Sequence, residues 1–133
     1  MLDWRRVLRI AIQLAEALQA VAAYNMIHRN ITPHNILIRA SDDSVKLSDL
    51  VFAKAISGTR LEEITSPGQL VGELVYLSPE QTGTERPIDF RSDIYSLGAS
   101  LYALLTGRPP LEGRNSSETL HKIQYDIPAA PTT

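Results

Sequence analysis

The chain has 133 residues, 44% of them apolar and 21% charged, which is ordinary for a soluble domain with a real core. A net charge of −2 offers neither a nucleic-acid surface nor a polybasic membrane anchor, and the absence of cysteine excludes disulfides and thiolate metal sites while leaving the redox compartment open. No signal-peptide apolar region follows Met1, and the longest uncharged apolar run, Ile94 to Leu105, is too short to cross a bilayer, so the reading is a soluble, cytoplasmic protein or the soluble part of a larger one.

Residues 3–24 read as a helix that Asp3 can cap. Trp4, Leu8, Ala11, Ala15, Leu18 and Ala22 recur at helical spacing and are expected on its core face, widened by Val7, Leu14 and Val21. Arg5, Arg6, Arg9, Gln13, Glu16 and Gln19 supply the wet side. The polar stretch His28-Arg29-Asn30-Ile31-Thr32-Pro33-His34-Asn35 then separates two apolar runs. A polar loop held between a helix and a hairpin is a common way to present chemistry on a rigid scaffold.

Ile36-Leu37-Ile38-Arg39 and Ser44-Val45-Lys46-Leu47 read as a hairpin, with Ser41-Asp42-Asp43 as its turn. Asp42 and Asp43 are read as solvated turn acids with nothing to perturb them. Asp49 follows the second strand. Residues 55–77 lack periodicity and read as a long loop, which in a small domain is usually functional or mobile. That loop closes on Gly72-Glu73-Leu74-Val75-Tyr76-Leu77-Ser78-Pro79-Glu80-Gln81, where Pro79 suits the first turn of a short helix.

Residues 91–106 give the strongest helix, capped by Asp89 or Ser92. It is apolar nearly all round, so it is expected at the centre of the core. Gly107 ends it and Pro109-Pro110 stop its continuation. A last helix, roughly Ser116 to Gln124, precedes the Pro-rich tail 128–133, which reads as the start of a linker.

Four of these blocks, in order, resemble the eukaryotic-type serine/threonine protein kinases in their bacterial flavour. His28, Arg29 and Asn35 match the catalytic-loop pattern H-R-D-x-x-x-x-N, with Asn30 in place of the Asp. Asp49 matches the Asp of D-F-G, with Leu50 and Val51 in place of Phe and Gly. Ser78-Pro79-Glu80 resembles A-P-E. Arg91 to Gly98 and Leu104 to Pro110 both closely resemble kinase C-lobe sequence. The implied fold is mainly α with a small β-hairpin: a kinase C-lobe over residues 1–127.

The resemblance also assigns roles. Asn35 and Asp49 stand at the Mg²⁺-ligand positions, and Leu37 lies under an adenine ring. ATP and Mg²⁺ are therefore the implied cofactors, and a protein substrate or regulated protein the implied partner. Asn30, Thr32 and Glu73 replace the catalytic Asp, the catalytic-loop Lys and the Thr that links them. A neutral amide cannot take the hydroxyl proton, and general base catalysis contributes about 10²–10⁴-fold. His28, Arg29, Glu80, Asp93 and Arg108 are scaffold positions: Asp93 bonds the loop backbone, Glu80 pairs with Arg108, and His28 stacks with Leu50. Arg29 receives a phosphate on Thr59, Thr65 or Ser66, or pairs with Glu62, Glu63 or Glu73.

No Gly-rich loop, strand Lys or helix Glu partner of the nucleotide lobe occurs in the 133 residues. Three readings result. One is a catalytically impaired C-lobe acting as a pseudokinase scaffold. The second is an active kinase whose nucleotide lobe lies outside this chain. The third, independent of the resemblance, is a helical interaction module with His28, His34 and Asp49 as structural residues or a weak metal site.

Overall fold

Asp3 opens the first helix as expected, its carboxylate accepting from Arg5 N at 2.9 Å. The structure is a computed structural model; it describes residues 1–49, 54–55, 73–83 and 86–131. Helix α1 spans Trp4–Ala23. Asn25, at φ +53°, turns the chain into strand β1, Met26–Ile27.

The face that α1 buries agrees with the sequence expectation at Val7 and Leu14 and differs from it at Trp4 and Leu8. Val7, Ile10 and Leu14 are buried, whereas Trp4 and Leu8 are exposed. The helix is turned by a polar requirement. Gln13, expected on the wet side, accepts from Val45 N at 2.9 Å through Oε1 and donates to Asp43 O at 3.1 Å through Nε2. These are backbone groups of the hairpin end that would otherwise lack partners.

Strand β2, Ile36–Ile38, pairs antiparallel with β3, Val45–Leu47, in the register Ile36↔Leu47, Leu37↔Lys46, Ile38↔Val45. This is the expected hairpin. Its turn acids are engaged, contrary to expectation. Asp42 accepts from Ser44 N at 3.0 Å, and that N–H holds its carboxyl below the usual range. Asp43, at φ +53°, pairs with Arg6 at 2.8 Å and with Arg9 at 3.7 Å, tying the turn to α1. A second antiparallel pair joins β1 to β4, Lys54–Ala55. Runs that short carry no periodicity and were not legible in the sequence.

Helix α2 spans Phe90–Thr106, with Asp89 accepting from Arg91 N at 2.8 Å. Gly107 ends it at φ +78°, donating to Ala103 O at 2.8 Å. The chain start lies against this end, where Leu2 N donates to Leu104 O at 2.8 Å. The expectation that α2 is buried by its apolar residues is corrected. Its buried residues are Ser92, Asp93, Ser96, Leu97, Ala99 and Ser100, while Ile94 is 56% exposed. The side of α2 turned inward carries small and polar groups because it meets loop backbone that needs hydrogen-bond partners.

Two 3₁₀ turns, Leu74–Tyr76 and Pro79–Thr82, lead into α2 and pack beside it, with Val75 and Tyr76 buried against Ala99. Helix α3, Ser116–Tyr125, is capped by Asn115 and lies on both turns. Its Gln124 donates to Thr82 Oγ1 at 2.9 Å. The main core is Ile10, Leu14, Ile31, Ile36 and Leu97, joining α1, the loop, the hairpin and α2. Truncating one such side chain to Ala costs about 2–5 kcal/mol. No described helix is long and apolar enough to cross a membrane.

Candidate active site

Strand β1 and the hairpin fix the two ends of the stretch 28–35, and buried polar side chains hold its backbone between them. Asp93, in the first turn of α2, accepts from His28 N and from Arg29 N, each at 2.8 Å. Burial pushes its carboxyl above the usual value, and the two N–H donors pull the other way. Ser100, about two turns further along the same helix, donates to Ile31 O at 3.1 Å. From the turn Pro79–Thr82, Gln81 donates to Arg29 O at 3.3 Å. Arg29 sits at φ +67°, in the left-handed region that costs a non-Gly residue about 1–2 kcal/mol.

The His28 ring is fully buried, and its tautomer follows from its partners. Nε2 faces Ser48 O at 3.0 Å, which only accepts, so Nε2 carries the hydrogen. Asn30 N, which only donates, reaches Nδ1 at 3.3 Å. The ring is therefore held neutral between the loop and the strand end that carries Asp49. Burial lowers its pKa, opposed by the charge of Asp93, the bond to Ser48 and the charge of Asp49.

The register places Asn35 opposite Ser48, whose N donates to Asn35 O at 2.9 Å. Asn35 and Asp49 thus share one end of the hairpin. Asn35 is buried and donates through Nδ2 to Asn30 O at 3.0 Å, which leaves its Oδ1 without a hydrogen bond among the described residues. Asp49 is exposed at φ +64°. An amide oxygen and a carboxylate are hard donors of the kind Mg²⁺ takes. Leu37, on the same hairpin and opposite Lys46, is 54% exposed and offers an apolar side chain.

The three substituted positions are not joined. Asn30 has its backbone N and O held, and its side-chain amide makes no hydrogen bond among the described residues. Thr32 is 2% exposed, and its Oγ1 has no partner among the described residues. Glu73, at the start of the turn Leu74–Tyr76, has no hydrogen bond or ion pair to Asn30, Thr32 or Arg29 among the described residues.

The expected ion pair between Glu80 and Arg108 is absent among the described residues. Glu80 instead accepts from Ser92 Oγ at 2.6 Å, while Arg108 is exposed beyond the end of α2. Ser92 lies one turn from the Asp89 cap and reaches Glu80 first, so the carboxylate is satisfied locally. The expected partners Leu50, Val51, Thr59, Glu62, Glu63, Thr65 and Ser66 lie outside the described residues. No group of three or more His, Cys, Asp or Glu able to hold a metal occurs among the described residues, which removes support from a His28, His34 and Asp49 site.

Sequence reasoning missed Gln81 and Ser100. Gln81 had a readable signal: Ser78-Pro79-Glu80-Gln81 is a capping box, and Gln81 Oε1 accepts from Ser78 N at 3.1 Å and from Ser78 Oγ at 3.0 Å. Ser100 had none. A groove of about 260 Å³ lined by Ile94, Tyr95, Gly98, Tyr102 and Pro110 lies on α2, and no residue of the stretch 28–35 lines it.

Residues 1–131 match the family described as Protein kinase domain. The chain is 35% identical over 128 residues to the serine/threonine-protein kinase PknB of Mycolicibacterium smegmatis, covering 96% of this chain and 20% of that protein. It is 37% identical over 123 residues to the probable serine/threonine-protein kinase PknB of Corynebacterium glutamicum, covering 92% of this chain and 19% of that protein. With the serine/threonine-protein kinase AfsK of Streptomyces coelicolor it shares 35% identity over 119 residues, or 90% of this chain and 14% of that protein. The chain thus spans about a fifth or less of the length of these relatives. Matched across nearly its whole length, and with its loop, hairpin and α2 helix built in the order these residues require, the chain belongs to the protein kinase domain family.

Proposed function

We propose that residues 1–127 are the C-lobe of a serine/threonine protein kinase domain whose phosphoryl transfer is impaired, and that the lobe serves as a scaffold or regulator for a protein partner. The observation that carries this reading is Asn30. It occupies the position of the proton-accepting Asp in the pattern H-R-D-x-x-x-x-N, with its own backbone N and O both hydrogen-bonded. An amide there orients a hydroxyl without taking its proton. Thr32 and Glu73 support the same reading: a cation is missing near the transferred phosphate, and an anion stands where the linking hydroxyl belongs.

The nucleotide side is kept in part. Asn35 and Asp49 would hold Mg²⁺, and Leu37 would underlie the base. The metal, when bound, supplies charge neutralisation to the phosphates. His28 keeps the loop and the Asp49 strand end together, and Asn35 carries the backbone of Asn30. The retained Asn35 and Asp49 also favour a second reading, an active kinase whose nucleotide lobe lies outside these residues.

The two readings separate on restoration. Asn30→Asp, alone and with Thr32→Lys and Glu73→Thr, is to be assayed in the full-length protein with Mg-ATP and a generic protein substrate. The first reading expects transfer to emerge from an inactive parent, largest in the triple variant. A parent already transferring within a few-fold of the variants contradicts it, since losing a general base removes about 10²–10⁴-fold.

A further inference from the structure

We infer that Gln81 is a positioning residue for the catalytic-type loop, setting the backbone from which Asn30 projects. The significance of Asn30 rests on the reading above; the coupling itself rests on geometry. Gln81 is buried, and both ends of its amide are assigned by their partners. Oε1 faces Ser78 N at 3.1 Å, a group that only donates, so the oxygen is on that side. Nε2 faces Arg29 O at 3.3 Å, a group that only accepts. One planar amide therefore spans from the start of the turn Pro79–Thr82 to the loop.

The residue it reaches is the one residue of the stretch 28–35 at positive φ. Arg29 is at φ +67°, and a non-Gly residue stays there only when its surroundings over-determine it. The N–H of Arg29 is held by Asp93 at 2.8 Å and its carbonyl by Gln81. That carbonyl belongs to the same peptide as Asn30 N, which donates to the His28 ring. Rotating the peptide away from Gln81 swings the N–H of Asn30 away from His28. Gln81 thus couples the segment ending in Ser78-Pro79-Glu80 to the orientation of residue 30. Glu cannot replace it: an ionised carboxylate keeps both acceptor bonds from Ser78 but presents an oxygen to the Arg29 carbonyl.

The test is amide hydrogen exchange on the full-length protein carrying Gln81→Glu. Exchange across residues 28–31 should rise about tenfold, the size expected for one lost hydrogen bond in a buried network, while residues 74–82 stay protected. Ser78→Ala, which weakens the cap and leaves the bond to Arg29, should leave residues 28–31 unchanged. Gln81→Met buries no charge and carries the same test should Gln81→Glu not fold; it too should loosen residues 28–31. Faster exchange confined to residues 74–82, or spread evenly through the domain, would overturn the inference and leave Gln81 a helix cap. The readout is independent of phosphate transfer, so a result on the proposed function does not decide it.

Discussion

Asp93 and His28, 65 residues apart, are joined by a 2.8 Å hydrogen bond from the backbone N of His28 to the Asp93 carboxylate. The second carboxylate oxygen takes Arg29 N at the same distance. Helix α2 thereby fixes where the loop begins, through one buried acid that takes two successive backbone N–H groups.

Replacing that acid tests the arrangement. Asp93→Asn keeps the shape but turns one acceptor into a donor facing an N–H. A bond to a charged group is worth about 1.5–3 kcal/mol, so the variant should lose about 3 kcal/mol in urea unfolding with an unchanged slope. A loss below about 1 kcal/mol would show that the carboxylate does not organise the loop.

Thr32 should behave in the opposite way. Its hydroxyl is buried without a partner among the described residues, and an unsatisfied polar group costs about 1–3 kcal/mol. Thr32→Val removes the hydroxyl at nearly constant volume. It should stabilise the protein by about 1 kcal/mol, read as a raised thermal midpoint. Destabilisation of that size would mean the hydroxyl has a partner after all.

Stability should fall on mild acidification through His28. Its folded pKa lies below the ordinary 6.5, so above that pH both states hold it neutral and its contribution is flat. Below it, the unfolded chain takes up a proton that the folded chain refuses, and stability is lost until the folded value is passed. Asp93 acts with the other sign. Its raised folded value penalises the fold above that value and relieves it as pH falls toward 3.8. Urea midpoints measured between about pH 7 and pH 5.5 should therefore drop, and His28→Gln should flatten the slope. An unchanged slope in that variant would assign the effect elsewhere.

The elements were legible in the sequence because their signals are local. Asp3 and Gly107 mark helix ends, Ser41-Asp42-Asp43 marks a turn, and the observed α1, Trp4–Ala23, falls within a residue of its expected bounds. The buried faces were less legible. Apolar spacing in α1 allowed more than one stripe, and the choice between them was made by Gln13 seeking the backbone of Val45. In α2 the inward stripe is polar because it serves the loop, which composition alone cannot signal. The motif residues found their places by spacing, but what holds them, Gln81 and Ser100, comes from contacts 52 and 69 residues away in sequence.

The most direct test of the impaired-transfer reading compares the full-length protein with its Asp49→Ala variant, following the γ-phosphate of Mg-ATP onto a protein substrate. The account predicts that the two are indistinguishable and at background. Transfer by the parent that Asp49→Ala abolishes would contradict it, and would make the protein a working kinase with Asn30 in place.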